Sequence, residues 1–135
     1  MSLENARVAY PILVQLAREL SQAVRERRTL AWVSYDDFCA RCRAVGIKET
    51  PRTITSKLLK PLQTVCLEKN LPDLSALIVQ KPKARGASGN LVRPSDGWWD
   101  IYVEREGATV GDVKFWFERY RAARDYESWP DEPFF

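Results

Sequence analysis

The sequence predicts an α+β fold, mostly helical with a small antiparallel β-hairpin. Three observations predict it. Apolar residues recur at helical spacing in four stretches, within residues 6–26, 35–44, 50–69 and 109–126. The run Leu74 to Gln80 (LSALIVQ) is apolar and β-branched at its centre, as a buried strand is. Leu91 to Arg93, or Trp98 to Val103 (WWDIYV), can return as its antiparallel partner. At 135 residues, with 45% apolar and 29% charged side chains, the chain reads as a single domain over 1–135 with an acidic, aromatic tail at 127–135.

The first helix spans Ala6 to Glu26. Val8, Ile12, Leu16, Leu20 and Val24 make an i, i+4 row, widened by Ala9, Leu13 and Ala17. Arg25, Arg27 and Arg28 stand at its C-terminal end, where cations suit the helix dipole. Thr29 to Val33 reads as a brief strand. Ser34 then caps a second helix, Tyr35 to about Ala44, with Asp37 in the capping-box position, and Gly46 ends it. Thr50 caps a third helix, with Pro51 at the first helical position and Ile54, Leu58, Leu62 and Val65 on its apolar face. Pro61 removes a hydrogen bond and crowds the preceding turn, at a cost of about 3 kcal/mol. A kink or break is therefore expected near Leu59–Lys60, with a short helix from Pro61 to Lys69 ended by Asn70, Leu71 and Pro72. After the strand, KPKARGASGN reads as an exposed loop at the hairpin tip. Thr109 to Tyr126 is the last helix, with Val113, Trp116, Phe117, Tyr120 and Ala123 or Arg124 as its buried stripe. Trp129, Phe134 and Phe135 in the tail either dock back on the domain or mark a surface for a protein partner.

Charge is unevenly distributed. Residues 1–40 balance five basic against five acidic side chains, residues 41–93 carry eleven against three, and residues 94–135 carry five against ten. A basic middle is the footprint of a phosphate-binding face, and the acidic end argues against a protein that coats nucleic acid all over. The chain has no histidine, which removes Ser-His and Cys-His nucleophiles, histidine bases and histidine metal ligands. No Walker loop or glycosidase carboxylate pair is present, so no enzyme, catalytic residue or cofactor is expected. Cys39-x-x-Cys42 has only Cys66 to join it, short of the four ligands zinc takes, and reads as buried small apolar residues. Asp96, Asp100 and Glu104 could hold a metal only if their segment is helical. The odd cysteine count suits a reducing cytoplasm, and neither a signal peptide nor a membrane span of about 20 apolar residues is expected.

The helix–turn–helix–loop–strand order from Ser34 to Lys83 is that of a winged-helix domain, whose recognition helix enters the major groove while a basic hairpin touches the flanking backbone. On that reading Arg52, Thr53, Ser56 and Lys57 face bases or phosphates, Lys48 and Lys60 contact phosphate, and Lys81, Lys83 and Arg85 belong to the wing.

An ordered series of short blocks supports the same fold: Tyr10-Pro-Ile-Leu-Val-Gln-Leu-Ala, Val33-Ser-Tyr-Asp-Asp-Phe, Pro51-Arg, Leu59-Lys-Pro-Leu, Cys66, Asn70-Leu-Pro-Asp-Leu-Ser-Ala-Leu-Ile-Val and Arg124-Asp-Tyr-Glu-Ser-Trp. It resembles a small bacterial winged-helix-like domain associated with restriction endonucleases and other defence or mobile-element genes. The family's Pro-Gly-x-Gly-aromatic run appears here only as Arg93-Pro-Ser-Asp-Gly-Trp-Trp. The resemblance implies a fold more firmly than an activity. The expectation is a non-catalytic, cytoplasmic accessory or regulatory module that binds double-stranded DNA. The alternative is an immunity or inhibitor protein that covers a toxin or nuclease with its acidic, aromatic C-terminal part.

Overall fold

The structure, a computed structural model, describes residues 3–26, 32–80 and 92–135. Helix α1 (Glu4–Arg25) lies against most of the core. Its buried face runs through Ala6, Ala9, Tyr10, Leu13, Leu16, Ala17 and Leu20, while Val8 and Val24 are 42% and 39% exposed. The expected i, i+4 row therefore does not hold at its ends. At 3.6 residues per turn, such a row rotates by about 40° per step and leaves the core face within a few turns.

Strand β1 (Val33–Ser34) leads into α2 (Tyr35–Arg43), where the Ser34 hydroxyl accepts from the Asp37 N–H at 3.1 Å. Gly46, at φ 89°, turns the chain away. The next helix is continuous through Pro61. Its first part is a π-helical turn (Thr55–Leu59), in which the Lys60 N–H reaches back five residues to the Thr55 carbonyl, and it runs directly into α3 (Lys60–Glu68). The helix does not break at Leu59–Lys60: this wider turn makes room for the proline ring and re-pairs the backbone around its missing N–H.

The centre of the molecule is Asp73–Val79, seven consecutive buried residues. Leu74–Leu77 form a 3-10 turn that touches α1, α3 and α5, and only Ile78–Val79 form a strand, β2. Strand β2 pairs with β1 in parallel, Val33 opposite Ile78 and Ser34 opposite Val79. The intervening helices supply the long crossover that a parallel pair requires.

This corrects the expected fold class. The described residues hold five α-helices and one two-residue parallel pair, not an antiparallel hairpin, so the winged-helix architecture implied by the motif order and the resemblance is not what the chain adopts. Trp98 to Val103 does not return as a strand. Asp96–Trp99 make a 3-10 turn and Asp100–Glu106 make α4, which Gly107 ends at φ 69°. Helix α5 (Val113–Asp125) starts later than Thr109, because Gly111 at φ 88° breaks the chain and Asp112 is the cap that takes the Phe115 N–H. Its buried residues are Trp116, Tyr120, Ala123 and Arg124. The loop at 81–90, Leu91, Arg27, Arg28 and the 29–31 part of the first expected strand lie outside the described residues.

A buried polar network fixes the centre. The Asp73 carboxylate accepts from Gln63 Nε2 (3.0 Å), the Ser75 N–H (3.0 Å), the Ser75 hydroxyl and the Tyr102 hydroxyl (2.7 Å). Trp98 Nε1 donates to Ser75 Oγ at 3.1 Å, and Gln63 Nε2 also reaches the Trp98 carbonyl at 3.1 Å. Burial pushes the Asp73 carboxyl upward from the usual carboxylate range, while the donated hydrogen bonds pull it back. Removing the carboxylate orphans several buried donors, at roughly 1–3 kcal/mol each. Asp73→Ala should lower unfolding stability by about 3 kcal/mol or more, and Tyr102→Phe by about 1–3 kcal/mol, in urea denaturation followed by circular dichroism. A loss under about 1 kcal/mol for Asp73→Ala would mean that the network does not hold the centre.

Candidate nucleic-acid interface

The cations expected to meet phosphate gather around the start of the third helical stretch. Ile47 is buried between exposed Gly46 and Lys48, which sets the path from α2 into the turn. The Thr53 side chain then makes the turn into the helix, while the Thr50 hydroxyl, expected as the cap, meets Thr53 Oγ1 at 3.2 Å and takes no helix N–H. Thr53 Oγ1 accepts from the Thr50 N–H at 3.0 Å, and the Thr50 carbonyl accepts from the Thr53 and Ile54 N–H groups at 3.0 and 2.8 Å. Ile54, Leu58, Leu59 and Leu62 face the core, which turns Arg52, Ser56 and Lys57 to solvent.

Among the described residues, Lys48, Arg52 and Lys57 are exposed and have no ion-pair partner. Arg43, in the last turn of α2, is exposed and unpaired in the same sense and was not singled out by sequence. The other expected contacts behave differently. The Thr53 hydroxyl serves the cap, and the Ser56 hydroxyl donates to the Thr53 carbonyl at 3.3 Å. Lys60 Nζ sits 2.8 Å from Asp100 Oδ2, with its stem along Gly97. Lys81, Lys83 and Arg85 lie outside the described residues.

One edge of this face is pinned by Tyr35, the first residue of α2. Its hydroxyl lies 3.1 Å from Ser95 Oγ and accepts from the Ser95 N–H at 2.9 Å. Burial pushes the phenol pKa upward. Thr55, Leu59 and Lys60 share a small cleft with Tyr35, Gln63, Ser75 and Trp98, and Ser95 reaches its edge through Tyr35. Arg93, from that segment, stacks over Trp99 with its guanidinium carbon 4.9 Å from the ring centre and pairs with Asp96. Its carbonyl accepts from the Gln80 N–H at 2.8 Å, which brings residues 80 and 93 together.

The rival features are committed inside the domain. Trp129 is buried and donates from Nε1 to the Ala123 carbonyl at 3.2 Å. Tyr10 donates to the Pro130 carbonyl at 2.7 Å and meets Trp129, Phe134 and Phe135 edge-on. The tail aromatics thus dock on α1, and Glu127, Asp131 and Glu132 are left as its exposed charges. Asp96, Asp100 and Glu104 do fall on helical turns, but Asp96 is paired with Arg93 and Asp100 with Lys60. Among the described residues no group of three acidic or sulfur side chains is placed to hold a metal ion. No helix among them is long and apolar enough to cross a membrane.

No family model matches the chain, and no curated protein or solved structure matches it either.

Cys39, Cys42 and Cys66 are all free and buried. Burial, with a contribution from Cys39, pushes the Cys42 thiol up to about 11, and burial together with Asp73 pushes Cys66 up to about 12. Thiol titration of the native protein near neutral pH should find essentially no fast-reacting group, with all three thiols appearing in denaturant. A rapidly modified native thiol would contradict their role as core residues.

Proposed function

We propose that this protein binds duplex nucleic acid, double-stranded DNA first of all, through the phosphate backbone and without catalysis. It would act as an accessory or regulatory module. The observation that carries the reading is the group of exposed cations Lys48, Arg52 and Lys57, unpaired among the described residues, at the start of one helix.

The same local chemistry argues for low sequence discrimination. Reading base edges takes side chains with free donors and acceptors. Here the Thr53 and Ser56 hydroxyls are bound to the backbone of their own turn, so the side chains left over are cations that meet phosphate or a guanine edge and offer no acceptor to tell other bases apart. Single strands are held by stacking bases on exposed aromatic rings. The rings near this face are not free for that: Tyr35 is tied to Ser95, Trp98 to Ser75, and Trp99 lies buried beneath Arg93.

Fluorescence anisotropy with a labelled duplex tests the reading. With about three phosphate contacts, the affinity should fall on the order of 40-fold between about 50 and about 200 mM salt. Arg52→Ala/Lys57→Ala should weaken binding at low salt and flatten the salt dependence by about two contacts. Unrelated duplexes should compete about equally. Absence of binding at low salt would overturn the proposal.

A further inference from the structure

The exposed face stops short of its helix. Lys60 lies one turn beyond Ser56 and is the first cation after Lys57 along the helix, so it would be the next one on a phosphate track that follows it. It is instead held by Asp100 at 2.8 Å. We propose that Asp100 sets the length of the nucleic-acid footprint by keeping Lys60 out of it. This rests on the nucleic-acid reading above and concerns the far boundary of that site.

Both side chains are open to solvent, Lys60 at 40% and Asp100 at 62%. An ion pair this exposed contributes little to stability. It nevertheless changes what a ligand meets: a phosphate near Lys60 finds the ammonium already engaged and a carboxylate beside it. The lysine runs alongside Gly97 on its way to Asp100, where a Cβ would stand in ordinary contact, 3.4 Å from Lys60 Cε. Other cations contributed to pairs by the 41–93 stretch do not mimic this role. Arg41 pairs with Glu19 on α1, and Arg93 is held between Trp99 and Asp96.

The test compares wild type, Asp100→Asn, Lys60→Gln, the double variant and Glu104→Gln on one labelled duplex across a salt series. Glu104 is an exposed carboxylate one turn further along α4 and reports the general effect of removing a negative charge. Melting curves confirm that each variant is folded, as expected for changes at exposed positions. Asp100→Asn should bind about three- to ten-fold tighter, with a salt slope steeper by about one contact. Lys60→Gln alone should change affinity by less than about two-fold, the double variant should lose the gain, and Glu104→Gln should give less than about two-fold. A gain that survives without Lys60, or that Glu104→Gln matches, would overturn the proposal. So would a loss of about three-fold or more on Lys60→Gln. Wild-type protein that binds no duplex at low salt would remove the nucleic-acid reading itself, a result separate from all of these.

Discussion

The Asp73 carboxylate, taking hydrogen bonds from Gln63 on α3, from Ser75 beside it and from Tyr102 on α4, ties three parts of the chain into one body. Burying an ionisable group is costly unless it is fully partnered. Its use here follows from the backbone. Asp73–Val79 crosses the core, yet only two of its residues pair as a strand, so the other peptide groups need partners that no sheet supplies. Asp73 Oδ1 takes the Ser75 N–H, the Asp73 carbonyl takes the Ala76 N–H at 3.1 Å, and Trp116 Nε1 reaches the Ala76 carbonyl at 2.9 Å. The last of these also attaches α5.

The network fixes the candidate interface at a distance. Gln63 belongs to the helix that begins at the exposed cations, and its two hydrogen bonds lock the rotation of that helix about its axis. With Leu58, Leu59 and Leu62 inward, Arg52 and Lys57 have only solvent to face. The π-helical turn is part of the same constraint. A break at Pro61 would free the first turns from Gln63, whereas the wider turn carries the fixed rotation through the proline to Thr55, beside Tyr35.

Much of this was legible in the sequence where local chemistry decides local structure. Ser34 and Gly46 bracket α2 as expected, and the three cysteines are core residues. Leu74–Leu77 was misread because a short apolar run looks the same in a buried strand and a buried 3-10 turn. The distinguishing signal was Asp73 two residues before Ser75, a cap rather than a strand flank. Trp98 to Val103 carried strand-like composition, and its helical signals, Asp100 at the start and Gly107 at the end, were outweighed by two tryptophans. At the interface, Lys48, Arg52 and Lys57 could be found from charge alone. The Thr53 and Ser56 hydroxyls could not be placed, because they were assigned to a ligand when their own turn offered nearer partners. The state of Lys60 depends on Asp100, forty residues away in sequence.

The charge division along the sequence also takes a different meaning in three dimensions. A basic 41–93 stretch and an acidic 94–135 stretch suggest opposite faces. Yet Lys60 and Arg93 leave the basic stretch to pair with Asp100 and Asp96, while Asp125 and Glu106 meet Arg124 and Arg119 within the acidic one. Apart from Arg124, which is buried, these pairs are open to solvent on at least one side and add at most about 1 kcal/mol each to stability, so their main effect is on the field the protein presents. Among the described residues of the basic stretch, the exposed cations left without an ion pair are Arg43, Lys48, Arg52 and Lys57, a small patch near the start of the third helical stretch, and Lys69 at its far end. A patch of that size is matched to a few phosphates, held weakly and released by salt, rather than to a strand wrapped around the whole molecule.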